Sequence, residues 1–277
     1  MRPMVDGVEV VLANNDRVTL RVGDLFLKID ADQKRTDHEV EAINLVPVPT
    51  PKILWRKPNV LALGALPGRT LGRLGAPSSA SPAAWRAAGA TLRLLHDAPL
   101  PRWPGTSVDQ LRSQLAHECD WLVASGTLAS DVVECNRHLA ETVLRPWTPA
   151  FIHGDLHLEH LFVEHRVSEV KGVSEVKGGS EVKGGSEVEG VAEVIVTGII
   201  DWSEACRGDA LFDIASLTLA NEAHLAHVIA GYGGDIDSDL VRGWWAMRCL
   251  LGVRWLIENG YGEPDDLPEV AVLRSQF

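Results

Sequence analysis

"FIHGDLHLEHLFV", residues 151–163, decides how the rest of the chain is read. It places His153, His157 and His160, with Asp155 among them, between the apolar runs Phe151–Ile152 and Leu161–Val163. Burying polar groups without partners is costly, so such a cluster between strand-like runs marks a loop with a task. Two chemistries fit. The histidines and the aspartate are ligand types for a metal such as zinc, or they belong to a loop that transfers a phosphoryl group.

The bulk properties narrow the classes. The chain has 277 residues, 45% hydrophobic and 23% charged, which suits a globular protein of one large domain or two lobes. A net charge of −12 argues against nucleic acid as a partner, because the phosphate backbone selects clustered Lys and Arg. Cys119, Cys135, Cys206 and Cys249 are widely spaced, with neither a C-x-x-C pair nor a disulfide framework, and read as reduced intracellular thiols. No apolar run approaches the roughly 18 residues that span a bilayer. The expected location is cytoplasmic, with no membrane partner.

Working outward from the loop, residues 1–66 read as strands with one helix. "VEVVLA", "RVTLRV", "LFLKI", "KILWR" and "VLALGAL" are β-rich. "DHEVEAINLV" has helical spacing and is stopped by "VPVPTP". From residue 82 the 3.6-residue period takes over, in "AAWRAAGATLRLLH", "VDQLRSQLAHECDWLV" and "LASDVVECNRHLAETVL". A strand-loop-strand unit at 150–202 follows, then the helical runs 210–232 and 238–261. The expected fold is α+β, with a small β-rich lobe over 1–66 and a larger helical lobe over 67–277. Residues 167–194 repeat a unit close to S-E-V-K-G-G about five times. With one Val per unit they cannot build a core, so they read as a low-complexity insertion at a hairpin tip.

The chemistry-bearing residues are distributed. Lys28 ends an apolar strand, Glu39 lies in the helix after it, Asp155 and His160 flank the loop after "AFI", and Asp201 ends the run "VTGII". Phosphoryl transfer needs this set: a lysine on the phosphates with a helix carboxylate to hold it, an aspartate for the acceptor hydroxyl, and two groups for the bridging metal. P-loop, dinucleotide-binding, nucleophile-elbow and H-E-x-x-H signatures are absent.

"HGDLHLEH" followed by "VTGIIDWSEACRGDALFDIASL" resembles the aminoglycoside phosphotransferase and choline kinase family, small-molecule relatives of the protein kinases. The family pattern is H-G-D-x-x-x-x-N, an apolar strand ending I-D-W or I-D-F, then G-D-x-x-x-D, and the resemblance runs over about residues 8–260. It implies a two-lobed protein-kinase-like fold and a nucleoside triphosphate, ATP or GTP, as donor to a small hydroxylated substrate, antibiotic or metabolite. By position, Asp155 becomes the catalytic base, Asp201 a Mg²⁺ ligand, Lys28 and Glu39 the phosphate clamp, and Gly64, Ala65 and Leu66 the hinge against the purine. His153 and Asp213 would shape the loop, and His96 would have no catalytic role.

The departure is His160, which stands where the family has asparagine. Magnesium prefers oxygen, whereas imidazole suits manganese, zinc and similar ions; His160 either enters as a metal ligand, for Mg²⁺ or Mn²⁺, through its neutral nitrogen, or hydrogen-bonds a metal-bound water or phosphate. The macrolide phosphotransferase branch, with H-G-D-x-H-x-x-H and a tendency towards GTP, is similar here. Simpler readings stand beside these. Lys28 shares a strand face with Phe26 and Asp30, as an exposed lysine would. Thr36 and Glu39 match a capping box, and Glu41 competes for the helix-carboxylate role. His157 is open between site and surface, while His165, His224 and His227 read as surface. Trp244, Trp245 and Trp255 read as core. Glu222, Asp235, Asp237, Glu258, Asp265 and Asp266 read as a solvated acidic face able to meet a cationic acceptor. The rival functions are a metallohydrolase built on His153, His157, His160 and Asp201, and a nucleotide-binding protein without turnover.

Overall fold

The structure is a computed structural model that describes residues 4–5, 7–14, 16–168 and 191–275. The alternating β-branched runs at the start pair as expected. Strands β1 (Met4–Val5), β2 (Val8–Ala13), β3 (Arg17–Val22), β4 (Leu25–Asp30), β5 (Ile53–Lys57) and β6 (Val60–Gly64) form one antiparallel sheet in the order β1-β2-β3-β4-β6-β5. Lys28 is therefore on an inner strand, the fourth of the chain, opposite Thr19 on one side and Leu61 on the other.

Helix α1 (Gln33–Leu45) follows β4 and begins a turn earlier than its apolar spacing suggests. The Asp32 carboxylate accepts the Lys34 N–H at 2.9 Å and is the N-cap, which leaves Thr36 buried inside the helix. The Thr36–Glu39 capping box expected from the sequence does not exist. Glu39 instead turns inward at 3% exposure, while Glu41 lies at the surface, paired with Arg102.

The chain then crosses through β7 (Arg69–Thr70) into α2 (Pro82–His96), α3 (Val108–Ala124) and α4 (Ser130–Glu141). Strand β8 (Ala150–Ile152) leads into the histidine loop. Strands β9 (Leu161–Ser168) and β10 (Val191–Ile199) form an antiparallel ladder from Leu161 opposite Ile199 to Ser168 opposite Val191. Of the repeat at 167–194, residues 169–190 lie outside the described residues. Strand β11 (Cys206–Gly208) pairs with β8, and α5 (Ala210–Thr218), α6 (Leu225–Tyr232), α7 (Ser238–Glu258) and α8 (Pro268–Ser275) complete the lobe.

The run 210–232, expected as one helix, is two. Asn221 is buried between them; its side chain accepts the Ser78 N–H at 3.0 Å and donates to Leu219 O at 3.1 Å, so a tertiary bond replaces helical continuation. The core joins α2, α3, α5 and α7 beneath the loop. It includes Trp85, Phe151, Leu156, Leu161, Ile199 and Trp202, together with Trp244 and Trp245. Trp255 departs from its expected place in the core, being 51% exposed and stacked on Tyr261. His224, expected at the surface, lies half-buried against the Trp85 ring.

Helices α2 and α6 meet backbone to backbone. A Cβ on Gly89 would stand 2.1 Å from Val228 O, and one on Gly231 would stand 1.9 Å from Arg86 O. Gly89→Ala is expected to lose about 1–3 kcal/mol by overpacking. Gly252→Ala, where a Cβ meets nothing within 4 Å, should gain up to about 1 kcal/mol from helix propensity. Urea midpoints of the two variants check this, and equal midpoints would refute the close contact.

Candidate active site

The loop after β8 is shaped by one buried carboxylate. Asp213, in the first turn of α5, accepts the backbone N–H groups of His153 at 2.7 Å and Gly154 at 3.0 Å, and pairs with His96 Nε2 at 3.2 Å. Gly154 has φ +84°, and a Cβ there would stand 2.2 Å from Glu204 O, so no other residue fits. Burial by itself would raise the Asp213 pKa; the His96 bond and the two histidines bring it below its ordinary value. The Asp155 N–H donates to His153 Nδ1 at 3.2 Å, which puts the ring proton on Nε2, donated to Ile200 O at 2.9 Å. Both nitrogens of His153 are committed, so it has no lone pair for a metal.

From the small sheet, Lys28 Nζ sits 2.6 Å from each Glu39 oxygen and 2.8 Å from Asp201 Oδ1. Desolvation works against the ammonium, but Glu39 and Asp201 outweigh it and raise its pKa, so Lys28 is charged. Asp201 has φ 64° and ψ 64°, a left-handed conformation that costs a non-glycine residue about 1 kcal/mol or more. The bonds on either side hold it: Ile200 N–H to His160 O at 3.0 Å, and its own carboxylate to Lys28 and to Arg17 Nη1 at 3.3 Å. Against burial, Lys28, His160 and Arg17 keep the Asp201 pKa far below its ordinary value.

His160 links the two aspartates. Its Nδ1 lies 2.9 Å from the carbonyl of Asp155, which only a protonated nitrogen can approach, so its Nε2 carries the lone pair. That atom faces Asp201 Oδ2 at 4.0 Å, and burial pushes the His160 pKa down to about 4. Two acceptors with no proton between them fit a cation, and the donor set of one carboxylate and one neutral imidazole accepts manganese as readily as magnesium. Donor atoms of Asp155, His157 and His160 also converge within 4.8 Å. However, His157 Nδ1 accepts the Glu159 N–H at 3.3 Å, and Asp155 Oδ1 is held by Arg248 Nη2 at 2.7 Å. With His153 committed as well, the four-ligand hydrolase site expected as a rival is not assembled. Asp155 is 40% exposed. Burial would raise its pKa, and Arg248 with His160 and His157 sets it below the ordinary value.

A model of the phosphotransferase enzyme family matches residues 13–173, more than half of the chain. The chain belongs to that family. No curated protein sequence matches it. Among solved structures, an aminoglycoside phosphotransferase in complex with GDP and kanamycin superposes with a TM-score of 0.68 at 17% identity, covering 99% of this chain and 94% of that one. The macrolide 2'-phosphotransferase of Brachybacterium faecium gives 0.61 at 17% identity, covering 98% and 94%. A choline/ethanolamine kinase family protein of Mesorhizobium loti gives 0.60 at 19% identity, covering 97% and 87%. The fold is the two-lobed kinase-like fold of these proteins.

In the phosphotransferase, the hinge stretch is partly spent. Gly64 N–H bonds Lys52 O and Ala65 N–H bonds Asp24 O, both at 2.9 Å, so among the described residues the Leu66 N–H is the donor of the three without an acceptor. Three expected acidic groups are neutralised at the surface: Glu222 by Arg242, Glu258 by Arg254 and Asp265 by Arg274. Two site residues were missed. Arg17 faces Asp201 from β3, and Arg248 reaches Asp155 from α7; the β3–β4 register, which puts Arg17 opposite Asp30, was the available signal for the first.

Because the folded pKa of Asp213 lies below the unfolded value, the folded state binds fewer protons there. Its stabilisation is full above about pH 4, the unfolded range, and is lost as pH falls through the folded value. Asp213→Asn would set an amide donor against a backbone donor and is expected to cost about 3 kcal/mol at pH 7. The gap to wild type should narrow below pH 4 in denaturant titrations, and a gap independent of pH would refute the charge assignment.

Proposed function

We propose that the chain transfers the γ-phosphoryl group of ATP or GTP to a hydroxyl of a small molecule. Residues 1–66 form the nucleotide lobe, and residues 67–277 form the catalytic and acceptor lobe. The observation that carries this is the buried Lys28 ammonium, gripped by both Glu39 oxygens and poised against Asp201, which leads to Asp155 through His160. Lys28 binds the phosphates and Glu39 fixes its position. Asp201 and His160 hold Mg²⁺ or Mn²⁺, which when bound would neutralise phosphate charge. The Leu66 N–H and the carbonyls of Gly64 and Ala65 meet the purine edge. Asp155, ionised at neutral pH and open to the cleft, orients the acceptor hydroxyl and takes its proton.

The acceptor is an antibiotic or a metabolite. Relatives in fold include proteins solved or named with aminoglycosides and macrolides. Three of the six surface acids are paired, and the charge beside Asp155 is a guanidinium, which weighs against a polycation and favours a macrolide-like or neutral acceptor. Cysteines with no disulfide support a cytoplasmic location. Among the described residues no helix is long and apolar enough to cross a membrane. A nucleotide-binding protein without turnover is the second reading, favoured by the Arg248–Asp155 pair, which occupies an oxygen of the base.

Thermal-shift titration with ATP and GTP, each with Mg²⁺ or Mn²⁺, tests the site, since a ligand of the native state must raise the melting temperature. A metal-dependent rise in wild type and its loss in Asp201→Ala are expected; no rise with either nucleotide would defeat the proposal. Asp155→Asn should lower turnover by about 10²–10⁴-fold with nucleotide affinity kept. Near-normal turnover in this variant would remove Asp155 from its role, and binding without turnover on any acceptor would establish the second reading.

A further inference from the structure

Resting on the nucleotide site proposed above, we propose that Arg17 is a second phosphate-binding cation, anchored by Asp30 as Lys28 is anchored by Glu39. The β3–β4 register sets Arg17 opposite Asp30 and Thr19 opposite Lys28. Residues two apart on a strand share a face, so all four project to the same side of the sheet, where Lys28 and Arg17 both reach Asp201. Arg17 is 12% exposed and fully engaged: Nε to Asp30 Oδ2 at 3.1 Å, Nη1 to both oxygens of Asp201 at 3.3 Å, and Nη2 to Ser203 Oγ at 3.1 Å. Its anchor is itself built in. Asp30 is 4% exposed, accepts the Asp32 N–H at 2.9 Å and receives Arg35 Nη1 at 3.3 Å.

The pairing shows what the arrangement is for. Lys28 pairs with Glu39 as well as Asp201, and Arg17 with Asp30 as well as Asp201, Asp30 being shared with the more exposed Arg35, so neither Lys28 nor Arg17 relies on Asp201 alone. A metal on Asp201 would release Nη1, while Nε stays on Asp30 and Nη2 on Ser203 Oγ, so Arg17 would present a positioned N–H to a phosphate oxygen. The β2–β3 turn supplies a further reason. Residues 14–16 are Asn-Asn-Asp, and the Asn14 side chain accepts the N–H groups of Asp16 at 3.0 Å and Arg17 at 2.8 Å. The turn has no glycine to bring bare backbone N–H groups over the phosphates, the role of glycine-rich loops in kinases. The guanidinium at its exit is the donor that takes their place.

Isothermal titration of nucleoside, monophosphate, diphosphate and triphosphate, with Mg²⁺, on wild type, Arg17→Met, Arg17→Lys and Asp30→Asn tests the assignment without an acceptor. Arg17→Met should weaken the triphosphate roughly ten- to a hundredfold, the size of a lost charge-assisted contact, and leave the nucleoside unchanged. Arg17→Lys should recover part of the loss, and Asp30→Asn should show the same phosphate-dependent pattern more weakly. Unchanged nucleoside affinity also shows that the variant has folded. If Arg17→Met weakens every ligand equally, or strengthens the triphosphate, Arg17 is a strut between the lobes and the assignment falls. If wild type binds no nucleotide, the parent reading fails and takes this one with it, a result distinct from any difference among the variants.

Discussion

The site depends on keeping Asp201 ionised in a left-handed turn at the edge of a buried strand. A carboxylate there is desolvated, and its backbone is strained. Neither cost is tolerable unless cations converge on it. Lys28 and Arg17 come from neighbouring strands of the small sheet, and each brings its own counterion, Glu39 and Asp30. The sheet order, the early start of α1 and the reach of Arg17 across to Ser203 all serve this one cluster. Removing Lys28 would leave the buried Glu39 carboxylate without a cation, and the pairs of Lys28 and Arg17 with Asp201 tie the small sheet to the strand end that follows β10.

A second carboxylate does the same for the other half of the site without touching it. Asp213 collects two successive backbone N–H groups and an imidazole, which fixes the tight turn at Gly154. The turn in turn fixes the tautomer of His153, and His160 closes the path from Asp155 to Asp201. The loop is thus positioned by backbone bonds, which suits a side chain such as Asp155 that must stay open to the cleft.

Much of the fold was readable because the two periods separate cleanly. The strands of residues 8–64 alternate, and the helices from residue 82 show apolar faces. The boundaries that were misjudged follow tertiary bonds that no local pattern carries: Asp32 capping α1, and Asn221 breaking the run 210–232 by bonding Ser78. Of the residues expected at the site, Lys28, Glu39, Asp201, His160 and Asp155 lie along one run of polar contacts, the last three from two short motifs with fixed offsets. Arg17 and Arg248 escaped notice because long side chains act at a distance from their own strand and helix. Trp255 looked like its neighbours in sequence, yet lies on the outer face of α7, while Leu256 and Ile257 after it still pack on the core.

The ladder of β9 and β10 has one further consequence. His160 stands immediately before Leu161 and Asp201 two residues after Ile199, so both are fixed at the root of the hairpin by the register of that pair. The far end of the ladder, Ser168 opposite Val191, lies seven rungs away. A changed side chain there is remote from the chemistry, and the separation of the two cation-facing side chains is set at the root alone.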